Sequence, residues 1–269
     1  MAVEDVPPPE HDPTKRLAVV LASNAGTEIT DFMAPYEILA RSRAFNVYAV
    51  APERKVSPLW PGLNLIPHYS FAEFDEQFDT AIDLIVLPNI LDFDNATIHD
   101  WLTTRATGDT VVLSVCEGAR TLAACGLADG IVATSHFAAL NQLEDRHPNT
   151  RWVRGKRYVH ANNIISTAGV TAAIDGTLYA VDRLVGSDAA LRVAGEIAYR
   201  RDFMNAANVR RTLDAFDILY LATQAGFHKK QEPVVVPVFD DVAEINVAAA
   251  LDVYPRSISL RAISVSQTD

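Results

Sequence analysis

The sequence predicts an α/β protein with a mostly parallel sheet that is covered by helices on both faces. Short, nearly continuous apolar segments alternate with helical patterns along most of the chain. Strands that are apolar at every position are typical of parallel sheets buried on both faces. A chain of 269 residues with 49% hydrophobic and 21% charged residues has the composition of a globular protein with a large core.

The predicted elements first follow a strand–helix order. β-forming residues predict strands over Leu17–Ala22, Asn46–Ala51, Asp83–Leu87 and Thr110–Val115. Helical periodicity predicts helices over Asp31–Arg41, Asn95–Thr107 and Ala119–Gly126.

Shorter strands and longer helices follow. The predicted strands are Ile131–Thr134, Trp152–Arg154, Arg157–His160 and Asn163–Ser166. A long helix is predicted over Thr171–Val185, and two more lie within Asp188–Arg201 and Met204–Ala225.

We divide the chain into a flexible tail over 1–15, an α/β domain over 16–200 and an extension over 201–269. The extension contains a predicted strand, helix and strand over Val234–Val238, Val242–Leu251 and Ser259–Val265. This βαβ unit resembles a repeat of the start of the domain, with Val247 at the position of Asp31. A unit this small cannot bury its own faces, so we expect it to extend the sheet edge or to build a dimer contact.

Charge and composition exclude several classes of partner and site. The net charge of -11 predicts no binding to nucleic acid or anionic lipid, and no apolar segment reaches the ~20 residues of a membrane span. Two cysteines make no disulfide framework, which favours the cytoplasm, with an exported protein that has lost its signal as the alternative. The histidines lack metal-ligand spacing, so neither a metal nor another cofactor is predicted.

Cys116 is the most informative residue of the chain. It stands where the strand Thr110–Val115 breaks into Glu117-Gly118 and a helix of small residues. Such an elbow presents a thiol at the end of a strand, and the helix N-terminus behind it lowers a thiol pKa and supplies N–H donors. The alternative is a buried apolar cysteine.

Several sequence blocks carry a family resemblance. They are Val115–Ala119, Ala124–Gly130, Ala133–Phe137 and Ser166–Asp175, together with Glu28–Glu37 near the N-terminus. In this order they resemble the ThiJ/PfpI superfamily with its flavodoxin-like, class I glutamine amidotransferase-like fold. The resemblance is strongest to isonitrile hydratase-like proteins and to the ligand-binding domains of amidotransferase-like AraC regulators. It implies a small-molecule ligand or substrate and a homodimer.

The resemblance also implies partners for the cysteine. Asp31 takes the position of the family's acid, which would act as a general base or accept a hydrogen bond from the thiol. A purely structural alternative is that Asp31 caps the helix it opens. His136 would pair with Cys116 or, as the preferred alternative, begin a helix and bond to backbone.

The chain departs from the family pattern at two points. Glu117 replaces a threonine, and a carboxylate there would raise the thiol pKa unless it points outward. Pro88-Asn89-Ile90 replaces Pro-Gly-Gly, so Asn89 and Ile90, with the backbone N–H groups of Glu117 and Gly118, are the candidates for an oxyanion hole or substrate contact.

Three functions remain in competition. The first is a cysteine-centred hydratase or hydrolase in which Cys116 attacks an electrophilic carbon and Asp31 manages the proton. The second is a non-catalytic or redox-responsive sensor on the same fold, and the third is a binding or assembly protein. About 70 residues follow position 200, and they do not resemble the ~100-residue DNA-binding region of AraC regulators.

Overall fold

A seven-stranded sheet forms the centre of the molecule. The computed structural model describes residues 7–207, 233–239, 242–256 and 262–266. The strands lie in the order β11-β12-β8-β7-β1-β3-β6, and all neighbours are parallel except β11 and β12. Their bounds are β1 Arg16–Leu21, β3 Phe45–Ala51, β6 Tyr69–Ser70, β7 Leu84–Leu87, β8 Val111–Ser114, β11 Tyr158–Ala161 and β12 Ile164–Thr167.

Helices cover both faces of this sheet. One apolar core joins the sheet to α1 (Ile29–Ser42), α6 (Thr171–Leu184) and α7 (Ser187–Glu196). A second core on the opposite face joins it to α2 (Phe71–Gln77), α3 (Ala96–Arg105), α4 (Gly118–Ala124) and α5 (Leu140–Arg146). The predicted α/β class with a mostly parallel sheet is therefore confirmed.

Short strands complete the fold. A three-stranded sheet contains β2 (Thr27–Glu28), β4 (Ser57–Trp60) and β5 (Leu63–Leu65), and a parallel pair contains β9 (Val132–Ala133) and β10 (Arg151–Trp152). The sequence prediction contains no element between Ala51 and Asp83, where β4, β5, β6 and α2 lie. These strands have two to four residues, too few to show a periodic pattern.

Two helix starts differ from the prediction. Asp31 was predicted to open its helix, but α1 starts at Ile29 and its N-cap is Glu28, whose side chain accepts the backbone N–H of Asp31. His136 was predicted to begin a helix, but α5 starts at Leu140. In each case the apolar pattern marked the body of the helix correctly but not its first turn.

The C-terminal strand, helix and strand do not extend the main sheet. β13 (Val234–Val238) pairs in parallel with β14 (Ala262–Ser266) in a separate two-stranded sheet, connected through α8 (Glu244–Arg256). α8 packs against α1, where the Ile245 N–H donates to the Glu37 carboxylate at 2.7 Å. The predicted helix over Met204–Ala225 falls, beyond Ala207, outside the described residues. Within the described ranges, no helix is long and apolar enough to cross a membrane.

Candidate functional site

Cys116 lies on a sharp turn between β8 and α4. Its φ angle is +58°, a left-handed conformation that is uncommon for any residue other than glycine. The turn is closed by a hydrogen bond of 2.8 Å from the Gly118 N–H to the Val115 carbonyl, and Ser135 Oγ donates to the Cys116 carbonyl at 2.9 Å. The sequence correctly predicted a strand-to-helix elbow at this residue.

Gly118 allows the elbow to pack against the neighbouring strand. A Cβ atom at this position would lie 2.2 Å from the Leu87 carbonyl oxygen and 2.8 Å from that of Pro88. Glycine is therefore needed because two backbones approach closely. The Gly118 N–H, predicted as an oxyanion donor, is already bonded to Val115, which leaves the Glu117 N–H as the donor beside the thiol.

The thiol of Cys116 is almost completely enclosed, with 6% of the residue exposed. Burial, followed by the charges of Asp31 and Glu28, raises the pKa of the Cys116 thiol well above its usual value. The Glu117 N–H acts in the opposite direction but does not prevail. The N-terminus of α4 acts on this pKa in the expected direction, but desolvation of a thiolate outweighs one backbone dipole.

Asp31 lies beside Cys116 and is fully buried. Burial and then the charge of Glu28 raise the pKa of the Asp31 carboxyl well above its usual range. Among the described residues, neither carboxyl oxygen of Asp31 has a partner at normal hydrogen-bonding distance and angle. The Cys116 thiol and the N–H groups of Val170 and Asn89 nevertheless lie near enough to offset part of the rise in the Asp31 pKa. Burial therefore disfavours the charged form of both the Cys116 thiol and the Asp31 carboxyl.

Glu28 is a second buried acid that the sequence reasoning missed as a site residue. It is 1% exposed, and its Oε2 accepts the Asp31 N–H and the Thr30 hydroxyl, both at 2.7 Å. The signal in the sequence is a carboxylate three residues before Asp31, which is the spacing of a helix cap. Glu28 fixes the first turn of α1, and its charge adds to the burial that raises the pKa of Asp31.

Glu117 points away from the thiol. Its Oε2 lies 2.8 Å from Arg120 Nε and its Oε1 lies 3.6 Å from His136 Nδ1. His136 first, and then Arg120, holds the pKa of Glu117 below its usual range, so this carboxylate is ionised. It is the weakest of the causes that raise the thiol pKa, as expected for a carboxylate that faces Arg120 and His136.

His136 serves neither of its predicted roles. It lies four residues before α5, and its ring faces Glu117 and packs against Phe137 with ring centroids 4.3 Å apart. We find no contact between His136 and Cys116 within the described part of the chain. A Cys–His pair is therefore not formed in this structure.

Asn89 and Ile90 lie beside the start of α1 and make backbone contacts there. The Asn89 carbonyl accepts the Glu28 N–H at 2.9 Å, and the Asn89 N–H lies toward Asp31. Ile90 forms a bridge with Thr27 and is 2% exposed. Their role in binding a substrate stays a prediction.

The turn before α6 packs closely against Cys116, and the sequence analysis did not identify it as part of the site. Gly169 has φ +85°, and a Cβ atom there would lie 2.6 Å from Cys116 Sγ. Any other residue at this position would collide with the thiol.

The described residues include no group of three His, Cys, Asp or Glu side chains that could hold a metal.

Comparisons with known proteins show the family of the chain. A model of the DJ-1/PfpI family matches residues 15–182. Isonitrile hydratase from Pseudomonas putida is 30% identical over 175 residues, which are 63% of this chain and 72% of that protein.

Solved structures share the fold. A ThiJ/PfpI family protein from Pseudomonas syringae has a TM-score of 0.64 at 20% identity, covering 84% of this chain and 96% of that one. An AraC family transcriptional regulator from Pseudomonas putida has a TM-score of 0.55 at 19% identity, covering 68% of this chain and 99% of that one. At these identities the two structures show the fold alone, and together with the relative above they confirm the resemblance predicted from the sequence.

Proposed function

The chain belongs to the DJ-1/PfpI family, and from this premise we propose that it is a cysteine-centred hydratase whose substrate is a small, neutral isonitrile. The observation that carries the proposal is the buried pair of Cys116 and Asp31. The similarity to isonitrile hydratase supports the choice of substrate class. Cys116 would be the nucleophile and Asp31 the acid and base.

The protonation state of the pair suits this chemistry. The isonitrile carbon must receive a proton as well as a nucleophile. Burial raises the pKa of both Cys116 and Asp31, and we infer that each group enters the reaction with its proton. Asp31 would donate its proton to the isonitrile carbon while it takes up the thiol proton, and no net charge would form in a site that solvates charge poorly.

The reaction balances in two steps. In the first, the S–H bond of Cys116 adds across the isonitrile carbon, which gives a thioimidate, R–N=CH–S–Cys116, with Asp31 relaying the proton. In the second, water adds to the same carbon and the C–S bond breaks, which releases R–NH–CHO and the thiol. The Glu117 N–H would stabilise the negative charge that develops during water addition.

The electrostatics of the site support a neutral substrate. Glu28, Asp31 and Glu117 place acidic groups around the thiol, and Arg120 forms an ion pair with Glu117. An anionic substrate would be repelled by the ionised members of this group. Cys116 is also 6% exposed, so a substrate must be small.

The test is turnover of alkyl and aryl isonitriles, with formamide measured by mass spectrometry. We expect hydration by the wild-type protein and its loss in Cys116→Ala and Asp31→Asn, with a transient mass increase of one substrate on Cys116. Circular dichroism serves as the control for folding. Hydration that persists in Cys116→Ala would contradict the proposal.

A second candidate is a non-catalytic or redox-responsive sensor for the same class of small ligand. Cys116 is 6% exposed, and two cavities of about 430 and 300 Å³ among the described residues are not lined by it. The low exposure of Cys116, with the raised pKa of its thiol, favours a group that reacts slowly. Ligand-induced thermal stabilisation without any product in wild type would support the sensor over the enzyme.

The assembly and location of the protein belong to the same proposal. We infer a homodimer in the cytoplasm from the family and from the low cysteine content. Light scattering coupled to gel filtration would give a mass near twice 29.4 kDa if the dimer forms. A mass near the monomer at micromolar concentration would contradict it.

A further inference from the structure

The turn Ala168–Thr171 contacts both members of the reactive pair. Gly169 approaches Cys116 so closely that a Cβ atom would lie 2.6 Å from both Cβ and Sγ of the cysteine. Its neighbour Val170 directs its backbone N–H toward Asp31. A small movement of this turn would therefore change the surroundings of the thiol and of the acid together.

The turn is held in an unfavourable conformation. Val170 has φ +49° and ψ −115°, and a positive φ at a β-branched residue is a genuine outlier. No side chain caps α6 at this residue. Strained backbone of this kind persists only where the surrounding structure fixes it, so other contacts must hold the turn in place.

Arg157 contacts the turn at both ends. Its backbone carbonyl accepts the Ala168 N–H at 2.8 Å, and its Nη2 donates to Thr171 Oγ1 at 3.1 Å. Its Nε forms an ion pair with Asp175, one helical turn further along α6. One side chain and its own backbone therefore bracket the strained residue.

The ion pair is buried and well supported. Arg157 is 8% exposed and Asp175 is fully buried. The second oxygen of Asp175 accepts the Tyr199 hydroxyl at 2.8 Å and lies 3.8 Å from Arg201 Nε. A buried charge pair with this many partners has a fixed geometry, and the planar fork of arginine is what allows contact with Asp175 and Thr171 at once.

We propose that Arg157 is a positioning residue for the Cys116–Asp31 pair. Its bonds to Ala168, Thr171 and Asp175 hold the strained turn so that Gly169 encloses the thiol and the Val170 N–H faces the acid. The inference rests on the proposed function only in naming this pair as the reactive centre. Arg157 itself has no contact with Cys116 or Asp31 among the described residues.

The test is the pH dependence of Cys116 alkylation by iodoacetamide in a Cys125→Ser background, because this readout needs no isonitrile turnover. The variants are Arg157→Lys, which keeps the charge but not the fork, and Thr171→Val, which removes the acceptor and leaves the buried ion pair intact. In both, a looser turn exposes the thiol, so we expect a lower apparent pKa and alkylation at least threefold faster at pH 8. Where isonitrile hydration is detected, kcat should fall with little change in KM.

The control is Ile98→Ala, a core substitution in α3 on the opposite face of the sheet. It should lower the melting temperature but leave the alkylation profile as in wild type. Profiles of Arg157→Lys and Thr171→Val that both match wild type would overturn the proposal, and Thr171→Val alone decides if Arg157→Lys does not fold. Absence of isonitrile hydration in wild type would contradict the proposed function. The alkylation profiles would still decide whether Arg157 positions the Cys116–Asp31 pair.

Discussion

The two βαβ units of the chain share a topology but not a site. β1 and β3 are parallel and connected through α1, as β13 and β14 are through α8. A glutamate lies at the start of each helix: Glu28 is the N-cap of α1 and Glu244 is the first residue of α8. In the first unit Asp31 is buried beside a thiol, whereas the predicted equivalent in the second, Val247, is 3% exposed within an apolar core.

The difference shows that the neighbours of a βαβ unit make the site. β1, β7 and β8 are neighbouring parallel strands of one sheet. Their carboxyl ends share one edge, so the start of α1 lies at the same edge as the Cys116 elbow. The β13–β14 pair has no third strand among the described residues. In the first unit the buried acid Asp31 lies beside the Cys116 thiol, whereas the equivalent Val247 carries no ionisable group.

The largest expected effect is a difference in kcat between substitutions at the equivalent positions Asp31 and Val247. Asp31→Asn removes the proton relay and should reduce kcat for isonitrile hydration by about 10²- to 10⁴-fold, the range for general acid–base catalysis. Val247→Ala, the matched change in the second unit, should leave kcat within about twofold. Steady-state kinetics check both, and an Asp31→Asn variant with nearly full activity would remove the distinction between the units.

The next effect concerns how the second unit is attached. Leu251 of α8 is fully buried in the core that includes α1. Leu251→Ala should lower the free energy of unfolding by about 2–5 kcal/mol, as measured by urea denaturation. Because the site lies elsewhere on α1, the alkylation profile of Cys116 should not change. A changed profile would mean that the extension shapes the site.

A smaller effect depends on pH. Burial, and the nearby charge of Glu37, raise the pKa of Glu244 above its usual value. The folded protein therefore binds this proton more tightly than the unfolded chain, and stability falls as the pH rises above the unfolded pKa through the raised one. Glu244→Gln should make the loss of melting temperature between pH 5 and pH 8 smaller than in wild type.

The matched control for this prediction is Glu53→Gln. Glu53 is exposed and pairs with Lys55 at 3.0 Å, so its removal should leave the pH dependence of melting unchanged. Arg41 and Glu37 also face Glu244 and are present in all the proteins compared. An identical pH dependence in wild type and Glu244→Gln would show that Glu244 binds its proton no more tightly in the folded protein than in the unfolded chain.

The smallest effect is expected at Glu117. Its charge is the weakest of those that raise the pKa of Cys116, because Arg120 and His136 lie against it. Glu117→Gln should therefore lower the apparent pKa of the thiol by less than Asp31→Asn does, as measured by alkylation. A larger shift than in Asp31→Asn would mean that Glu117 turns toward the thiol in solution.

The sequence was sufficient for the parts of the site that depend on chain order. Apolar strands predicted the sheet, and the rule that carboxyl ends of parallel strands share one edge brought Asp31 to Cys116. The elbow was visible because a β-forming run ends abruptly at Cys116. These features depend on residue type and spacing, which a single sequence contains.

The remaining features depend on tertiary contacts. Glu117 turns outward because His136, nineteen residues away, lies against it. Gly118 is required by the approach of β7, and Gly169 by the approach of the thiol, and neither contact is local in sequence. A valine with positive φ at position 170 cannot be predicted from propensity, because valine strongly disfavours that conformation.

The central claim is that Cys116 and Asp31 form a buried pair in which both groups are neutral at rest. The direct measurement is the pH dependence of Cys116 alkylation, compared between Cys125→Ser and Cys125→Ser with Asp31→Asn. We predict an apparent pKa above the ~8.5 of a free thiol in the first protein and a lower value in the second. An apparent pKa at or below ~8.5 that does not change with Asp31→Asn would contradict the claim.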